Sequence, residues 1–403
     1  MSFSSGNAVS AGGHNLTPSA VKLILFALTV GGFGIGTGEF AIMGLMPFVA
    51  SDLQVTEPQV GHLISAYALG VVVGAPMLAF IGARFQRRTL LLLLMGCFAF
   101  GNFASALTSD YNTLMIFRFI AGLPHGAYFG VASLVAASLV SPDQRAKAVA
   151  MVVVGLTVAM LIGNPLASWV GQTLDWRVAF AFVGAVAVLT VVLTLMFLPG
   201  NPNEPRGNPI AELKDFNNAN VWLALLIGSI GFSGMFCVAS YVAPTLQEVT
   251  AADKSWIPLA MAAFGLGAII GNYVGGWLFD KLQFRAVGIL LLWSAVVLFL
   301  YPLATASITS IMISCVTIGT MVSLSAPLQT HLMDIAGEAQ TLAAASNQSA
   351  FNVANALGPW LGGLAISAGL GWQSTGYIGT ATAVAAIVVF WIADRNLTRE
   401  VNA

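Results

Sequence analysis

Long apolar stretches constrain this chain more than any other feature. A membrane-crossing helix needs about 20 consecutive, mainly apolar residues. Read at that length, the chain gives twelve segments, near 21–48, 59–82, 89–107, 112–139, 146–171, 177–198, 219–247, 256–279, 286–303, 307–333, 340–368 and 373–394. Only 8% of residues are charged, against about 25% in a soluble domain, which is too little to cover a soluble core of this size. The 42 glycines suit helices packed closely in lipid. The expectation is an all-α membrane protein of twelve transmembrane helices.

The one long polar interruption is "PGNPNEPRGNPIAELKDFNNAN", residues 199–220, with four prolines and clustered charge. It predicts a tail over 1–20 without ordered structure, a six-helix bundle over 21–198, a linker over 199–218, a second six-helix bundle over 219–394 and a short tail over 395–403. The first apolar segment is too long for a cleavable signal and is expected to remain as the first span. "TEPQ" at Thr56–Gln59 and "SPDQ" at Ser141–Gln144 read as helix starts with capping signals. With both termini placed in the cytoplasm, Lys22, Arg84, Arg87, Arg88, Arg145, Lys147, Arg206, Lys214, Lys281, Arg285, Arg395 and Arg399 fall on the inner side. Only Arg177 and Lys254 fall outside, and Arg118 falls within a span. That asymmetry follows the positive-inside rule.

Sliding the chain by 197 residues aligns Gly31 with Gly228, Gly34 with Gly231, Pro47 with Pro244, Gly70 with Gly267, Gly74 with Gly271 and Gly122 with Gly319. A shared offset across several spans predicts two pseudo-symmetric bundles about an axis along the membrane normal, with a site between them near the midplane. The three cysteines lie in apolar runs without metal or redox spacing and read as free thiols. No nucleotide loop, metal cluster or nucleophile motif marks an enzyme, no cofactor is indicated, and no basic tail points to nucleic acid.

Of the 16 acidic residues, Glu39 alone is placed well inside a span, where a charge costs about 3 kcal/mol on insertion scales. A carboxyl that alternates between sealed and wet surroundings can carry a proton. The competing readings are a glutamate fixed by hydrogen bonds and a direct contact to a cationic substrate. Arg118 is the natural counter-charge, either paired to Glu39 in one conformation or tying its own helix to backbone carbonyls. His125 follows on the same helix as a proton relay, a substrate contact or a satisfied core histidine, with Tyr128 at i+3 on its face. In the second half, Tyr241 and the polar set Asn347, Gln348, Asn352 and Asn355 read either as substrate contacts or as polar glue between helices. Phe40 and Tyr67 are candidate pocket walls.

"GGWLFDKLQFR" keeps Gly276, Leu278, Asp280, Lys281 and Arg285 of a loop motif that the major facilitator superfamily carries twice. The first copy, "IGARFQRR", keeps Arg84, Arg87 and Arg88, but has Ala83 where the family has Asp and Gln86 where it has Gly. "RFIAGLPHGAYFG" resembles the family's helix-4 signature through Arg118 and Gly122. "GLTVAMLIGNPLASWVG" is similar to its antiporter motif through Gly155, Gly163 and Pro165, with Asn164 interrupting the usual Gly-Pro, and helix 11 carries "GPWLGG" with Gly358 and Pro359. With "GTGEFAIMGLMPFVASDL" and "ISAYALGVVVGAP", the chain resembles the drug:proton antiporters of that superfamily, near the bacterial inner-membrane sugar- and chloramphenicol-efflux permeases.

The resemblance covers about residues 22 to 394. It implies a monomer in the bacterial inner membrane, both termini cytoplasmic, that exports small organic molecules such as sugars or chloramphenicol-like drugs against protons by alternating access. Its partners would be substrate, protons and lipid, with the proton gradient as driving force. Proton symport, uniport and a non-transporting sensor are the alternatives. Arg84, Arg87, Arg88, Asp280, Lys281 and Arg285 would close the inner gate, and Gly155, Gly163, Pro165, Gly358 and Pro359 would permit bending and close approach between halves.

Overall fold

A computed structural model of the chain describes residues 9–11, 14–82, 84–141, 144–200, 219–335 and 340–402. A small antiparallel ribbon comes first, β1 (Val9–Ala11) on β2 (His14–Leu16). The tail expected to lack structure therefore holds a short pairing. Every other described element is helical. The first half comprises α1 (Pro18–Leu53), α2 (Glu57–Gly82), α3 (Arg87–Leu107), α4 (Tyr111–Gly122), α5 (His125–Ser138), α6 (Arg145–Val158), α7 (Asn164–Thr173) and α8 (Trp176–Phe197). The second comprises α9 (Ala219–Gly231), α10 (Ser233–Glu248), α11 (Trp256–Leu282), α12 (Arg285–Ala304), α13 (Ile308–Gly319), α14 (Ser325–Ile335), α15 (Gln340–Ser367) and α16 (Ser374–Asn402). Much of the linker expected over 199–218, with Arg206 and Lys214, lies outside the described residues, as do Ala83 and Pro142.

Four crossings are each built of two helices. α4 and α5 break at Leu123–Pro124, α6 and α7 are joined by a π-helical turn at Ala159–Gly163, α9 and α10 meet at Phe232, and α13 and α14 are joined by a 3₁₀ turn at Thr320–Leu324. Among the described residues, eleven helical segments are long and apolar enough to cross a membrane. The twelfth crossing is α15, whose 28 residues suffice in length but whose Asn, Gln and Ser residues dilute its hydropathy. The helix α16 runs on through the segment expected to be a C-terminal tail.

Local chemistry sets the starts. At Thr56 the capping box forms: its N–H donates to Gln59 Oε1 at 2.8 Å, and the Gln59 N–H donates back to Thr56 Oγ1 at 3.4 Å. Asp110 caps α4 through the N–H groups of Thr113 and Asn112, and Asp175 caps α8 through Arg177 N–H. The second expected box does not form, because Gln144 precedes α6 with no side-chain cap bond.

The 197-residue offset reappears as atomic contact. A Cβ on Gly70 would meet the Phe119 carbonyl, and one on Gly267 would meet the Val316 carbonyl, 197 residues on. Gly74 faces the Leu123 carbonyl as Gly271 faces that of Thr320, and Gly122 faces the Tyr67 carbonyl as Gly319 faces that of Phe264. Each half thus contains the same pair of helices, packed at backbone distance through the same three glycines. The rims repeat too. Arg177 Nε donates to the Thr108 carbonyl in the first half, and Gln373 Nε2 donates to Thr305 Oγ1 in the second.

The halves meet along three seams: α1 on α10, α2 on α15, and the π turn with α7 on α11. Close approaches across these seams, Gly363 on Pro58, Gly61 on Tyr241, Gly44 on Met261 and Gly265 on Met160, lie from the middle of the bundle toward the end away from the chain termini. Hydrogen bonds join the halves as well, Ser65 Oγ donating to the Ala356 carbonyl at 2.7 Å and Asn355 Nδ2 to Glu39 Oε1 at 2.9 Å.

Candidate functional site

Glu39 is 1% exposed and is the one Asp or Glu among the buried described residues. It lies on α1 beside Phe40, and its Oε1 accepts from Asn355 of the opposite half. Its Oε2 is 3.9 Å from His125 Nδ1. That nitrogen is 3.2 Å from the Tyr67 hydroxyl, while His125 Nε2 is buried without a partner. The buried chain Asn355–Glu39–His125–Tyr67 therefore runs from the second half into the first.

Arg118 completes the cluster differently from a simple ion pair. Its Nη1 donates to the Gly38 carbonyl at 2.9 Å, and the guanidinium sits 4.5 Å over the Tyr67 ring and 5.2 Å from that of Phe180. It forms no salt bridge to Glu39 in this conformation; its Nε and Nη2 are buried and unpartnered. Of the two readings open from sequence, the backbone tie is the one seen, because Gly38 exposes its carbonyl one residue before the acid.

A cavity of about 30 Å³ lies between the halves beside Phe40. Four methionines (Met43, Met160, Met235, Met261) and four phenylalanines (Phe40, Phe236, Phe264, Phe351) line it with Ala239 and Asn164. Both halves contribute, and Phe40 and Phe236 stack across the seam with ring centroids 6.2 Å apart. Sequence reading found Phe40 but missed the methionines and the other three rings, since Met and Phe inside apolar runs carry no signal of their own.

Several expected contacts lie elsewhere. Tyr128 is in the first half's core, its hydroxyl donating to the Leu28 carbonyl at 2.7 Å and its ring filling the space left by Gly31. Tyr67 is fully buried under Arg118 and belongs to the Glu39 cluster rather than the cavity wall. Tyr241 closes the end away from the termini, donating to the Pro359 carbonyl at 2.7 Å between Gly61 and Gly363. Asn352 donates to the Gln348 carbonyl of its own helix at 3.0 Å. Phe351, rather than Asn347, Gln348 or Asn352, is what α15 presents to the cavity.

The expected gating residues also sort differently. Gly155 and Gly163 bring α6 and the π turn onto Thr29, Phe33 and Thr37 of α1, within one half. Gly358 likewise brings α15 onto Ser233 and Cys237 of α10. These glycines tighten each half, whereas Gly363 and Gly265 make the approach across the seam. The Pro165 ring sits at the start of α7, directly after the π turn, where its missing N–H costs nothing further. Arg88 Nη2 donates to the Leu195 carbonyl in the last turn of α8, at 2.9 Å, which is a helix C-terminus as expected. Arg84 is exposed in the turn between α2 and α3, Arg285 is exposed at the start of α12, and Arg87 has a partner of its own. Lys281 sits 4.2 Å over the Trp277 ring, and Asp280 makes no ion pair among the described residues.

Comparison with known proteins agrees with this architecture. A model of the Major Facilitator Superfamily matches residues 28–347. The inner membrane transport protein YdhP of Escherichia coli K12 is 38% identical over 372 residues, covering 92% of this chain and 96% of that protein. A chloramphenicol resistance protein of Streptomyces lividans is 31% identical over 384 residues, covering 92% and 96%. Among solved structures, a bacterial homolog of the human lysosomal transporter Spinster superposes with a TM-score of 0.73 at 18% identity, covering 94% of this chain and 96% of the other. With two glycine-matched six-helix halves, a buried cluster and a cavity at their seam, the chain is a multi-pass membrane transporter of the major facilitator superfamily.

Proposed function

We propose that the protein exports small, largely apolar aromatic molecules in exchange for protons, by alternating access of the cavity between its halves. The observation that carries this reading is the hydrogen bond from Asn355 to Glu39. It ties the one buried acid among the described residues to the opposite half, next to a cavity-lining ring, which supports a role for it in a cycle that opens and closes this seam. In this reading a proton occupies Glu39 while the clasp is shut, because an ionised carboxylate with no salt bridge is costly in a dry interior. When the halves part on that side, substrate leaves and the acid takes up a proton from outside, and it gives that proton to the inner side when substrate next enters the resealed molecule from within. Each proton crossing the membrane releases about 2.3 kcal/mol per 100 mV, which drives the substrate the other way.

The cavity lining supports drug-like cargo over sugar. A sugar needs a dense set of polar partners, since each unpaired buried hydroxyl costs about 1–3 kcal/mol, and this wall offers one amide among ten residues. Methionines adapt to ligands of different shape. Similarity to a protein named for chloramphenicol resistance points the same way. At about 30 Å³ the cavity is far below the roughly 300 Å³ at which ligand pockets begin, so loading requires the halves to part. By the charge asymmetry of the loops, the sealed end is the outer one.

Purified protein in liposomes with an imposed pH gradient tests this. Uphill movement of chloramphenicol but not of glucose or arabinose, abolished when the gradient is collapsed, is the expected result. Sugar transport, or drug transport indifferent to the gradient, contradicts it.

A further inference from the structure

His125 is held at one ring nitrogen and idle at the other. It follows the break at Leu123–Pro124 and opens α5, which runs on toward the end that holds the chain termini. Its side chain is fully buried. Nδ1 faces two oxygens, the Tyr67 hydroxyl at 3.2 Å and Glu39 Oε2 at 3.9 Å. Nε2 is buried with no partner. A ring that only filled space would not need that unpaired nitrogen, which carries a cost in a dry interior. The titratable groups gathered around it are Glu39 from α1, Tyr67 from α2 and, across the Tyr67 ring, Arg118 from α4.

The bonds around Glu39 decide where its proton sits. Oε1 accepts from Asn355, so the proton of a neutral Glu39 belongs on Oε2, the oxygen that faces Nδ1. With the Tyr67 phenol donating to Nδ1, that nitrogen holds a lone pair and the ring N–H is on Nε2. An acid proton thus faces a basic nitrogen, with 3.9 Å between the heavy atoms. A shift of about 1 Å brings them to hydrogen-bond distance, a small movement beside the parting of two halves.

We propose that His125 relays the proton of Glu39 toward the end that holds the chain termini. This deepens the reading above and rests on Glu39 being the carrier. The O–H bond on Oε2 breaks as an N–H bond forms on Nδ1, which leaves a carboxylate beside an imidazolium. The new charges are adjacent and opposite, and a dry interior tolerates that far better than a lone carboxylate. Arg118, a second cation in the cluster, keeps the imidazolium short-lived. Water admitted from the terminus end takes the same proton from Nδ1 and restores the neutral ring.

The test follows Glu39 by infrared spectroscopy of the full-length protein in lipid nanodiscs after a pH jump, and needs no substrate. The carboxylic C=O band that disappears in Glu39→Gln reports the proton. His125→Gln and His125→Asn keep an amide donor and acceptor but cannot take up a proton, and either one that folds serves. Glu39 should lose its proton about a hundredfold more slowly than in wild type, the low end of what a positioned proton-transfer group supplies, at an unchanged midpoint pH. Loss at the wild-type rate, or slowing that merely follows a shifted midpoint, overturns the relay and leaves Glu39 as the carrier. A band that never responds to pH in wild type removes Glu39 as the carrier, and the relay with it.

Discussion

At the scale of single residues, the acid and its amide partner define the account. Replacing Asn355 with Leu removes the donor to Glu39 Oε1 and leaves the hydrogen bond from Ser65 to Ala356 in place. A hydrogen bond is worth about 1 kcal/mol net, or about fivefold in an equilibrium. Asn355→Leu should therefore shift the balance of sealed and open forms about fivefold toward open, read as labelling, by a reagent added outside, of a cysteine placed at Ala239 in the cavity wall. Asn352→Ala, three residues away, removes a bond that stays within α15 and should leave that labelling unchanged. Glu39 was legible from sequence because one acid inside an apolar run has no ordinary explanation. Its partner was not assigned to it, because Asn355 is 316 residues distant and sits among three similar side chains. Nor could spacing tell that Arg118 turns to the Gly38 carbonyl instead of the carboxylate; that choice depends on where α4 crosses α1.

Elements carry their own consequences. Gly70 and Gly267 occupy equivalent places, each against a carbonyl of the neighbouring crossing. Gly70→Val and Gly267→Val should each abolish folded protein, seen as loss of a monodisperse peak in detergent. Gly276→Ala should leave it intact, since nothing lies within 4 Å of its Cβ position. The Asp110 cap adds a pH-dependent element. Hydrogen bonds from Thr113 and then Asn112 hold its carboxyl below the usual carboxylate range. Its contribution is therefore present above that range and lost as pH falls through the depressed value. Asp110→Ala should lower thermal stability near neutral pH and flatten the acid limb of the stability profile.

Helix positions were readable to within a few residues, because apolar length is set by the bilayer. The overruns, Pro18–Leu53 for 21–48 and Ser374–Asn402 for 373–394, occur where polar turns continue the helix beyond the apolar core. The breaks at Pro124, Ala159–Gly163 and Thr320–Leu324 were only hinted at by Gly and Pro, which tolerate a bend without fixing its kind.

Across the whole molecule, the proposed cycle parts the halves at the Tyr241 end during transport. A Cβ on Gly363 would lie 3.4 Å from Pro58 Cβ, close to the spacing of about 3.8 Å in disulfides. Pro58→Cys with Gly363→Cys, in a background lacking the three native cysteines, should cross-link on oxidation and stop transport, and reduction should restore it.

The most direct measurement compares wild type with Glu39→Gln in liposomes carrying an imposed pH gradient. Glutamine keeps an acceptor for Asn355 but cannot release a proton. The variant should exchange labelled chloramphenicol across the membrane down its own gradient, yet accumulate none against it. Accumulation by the variant at the wild-type level would contradict the assignment of coupling to this acid.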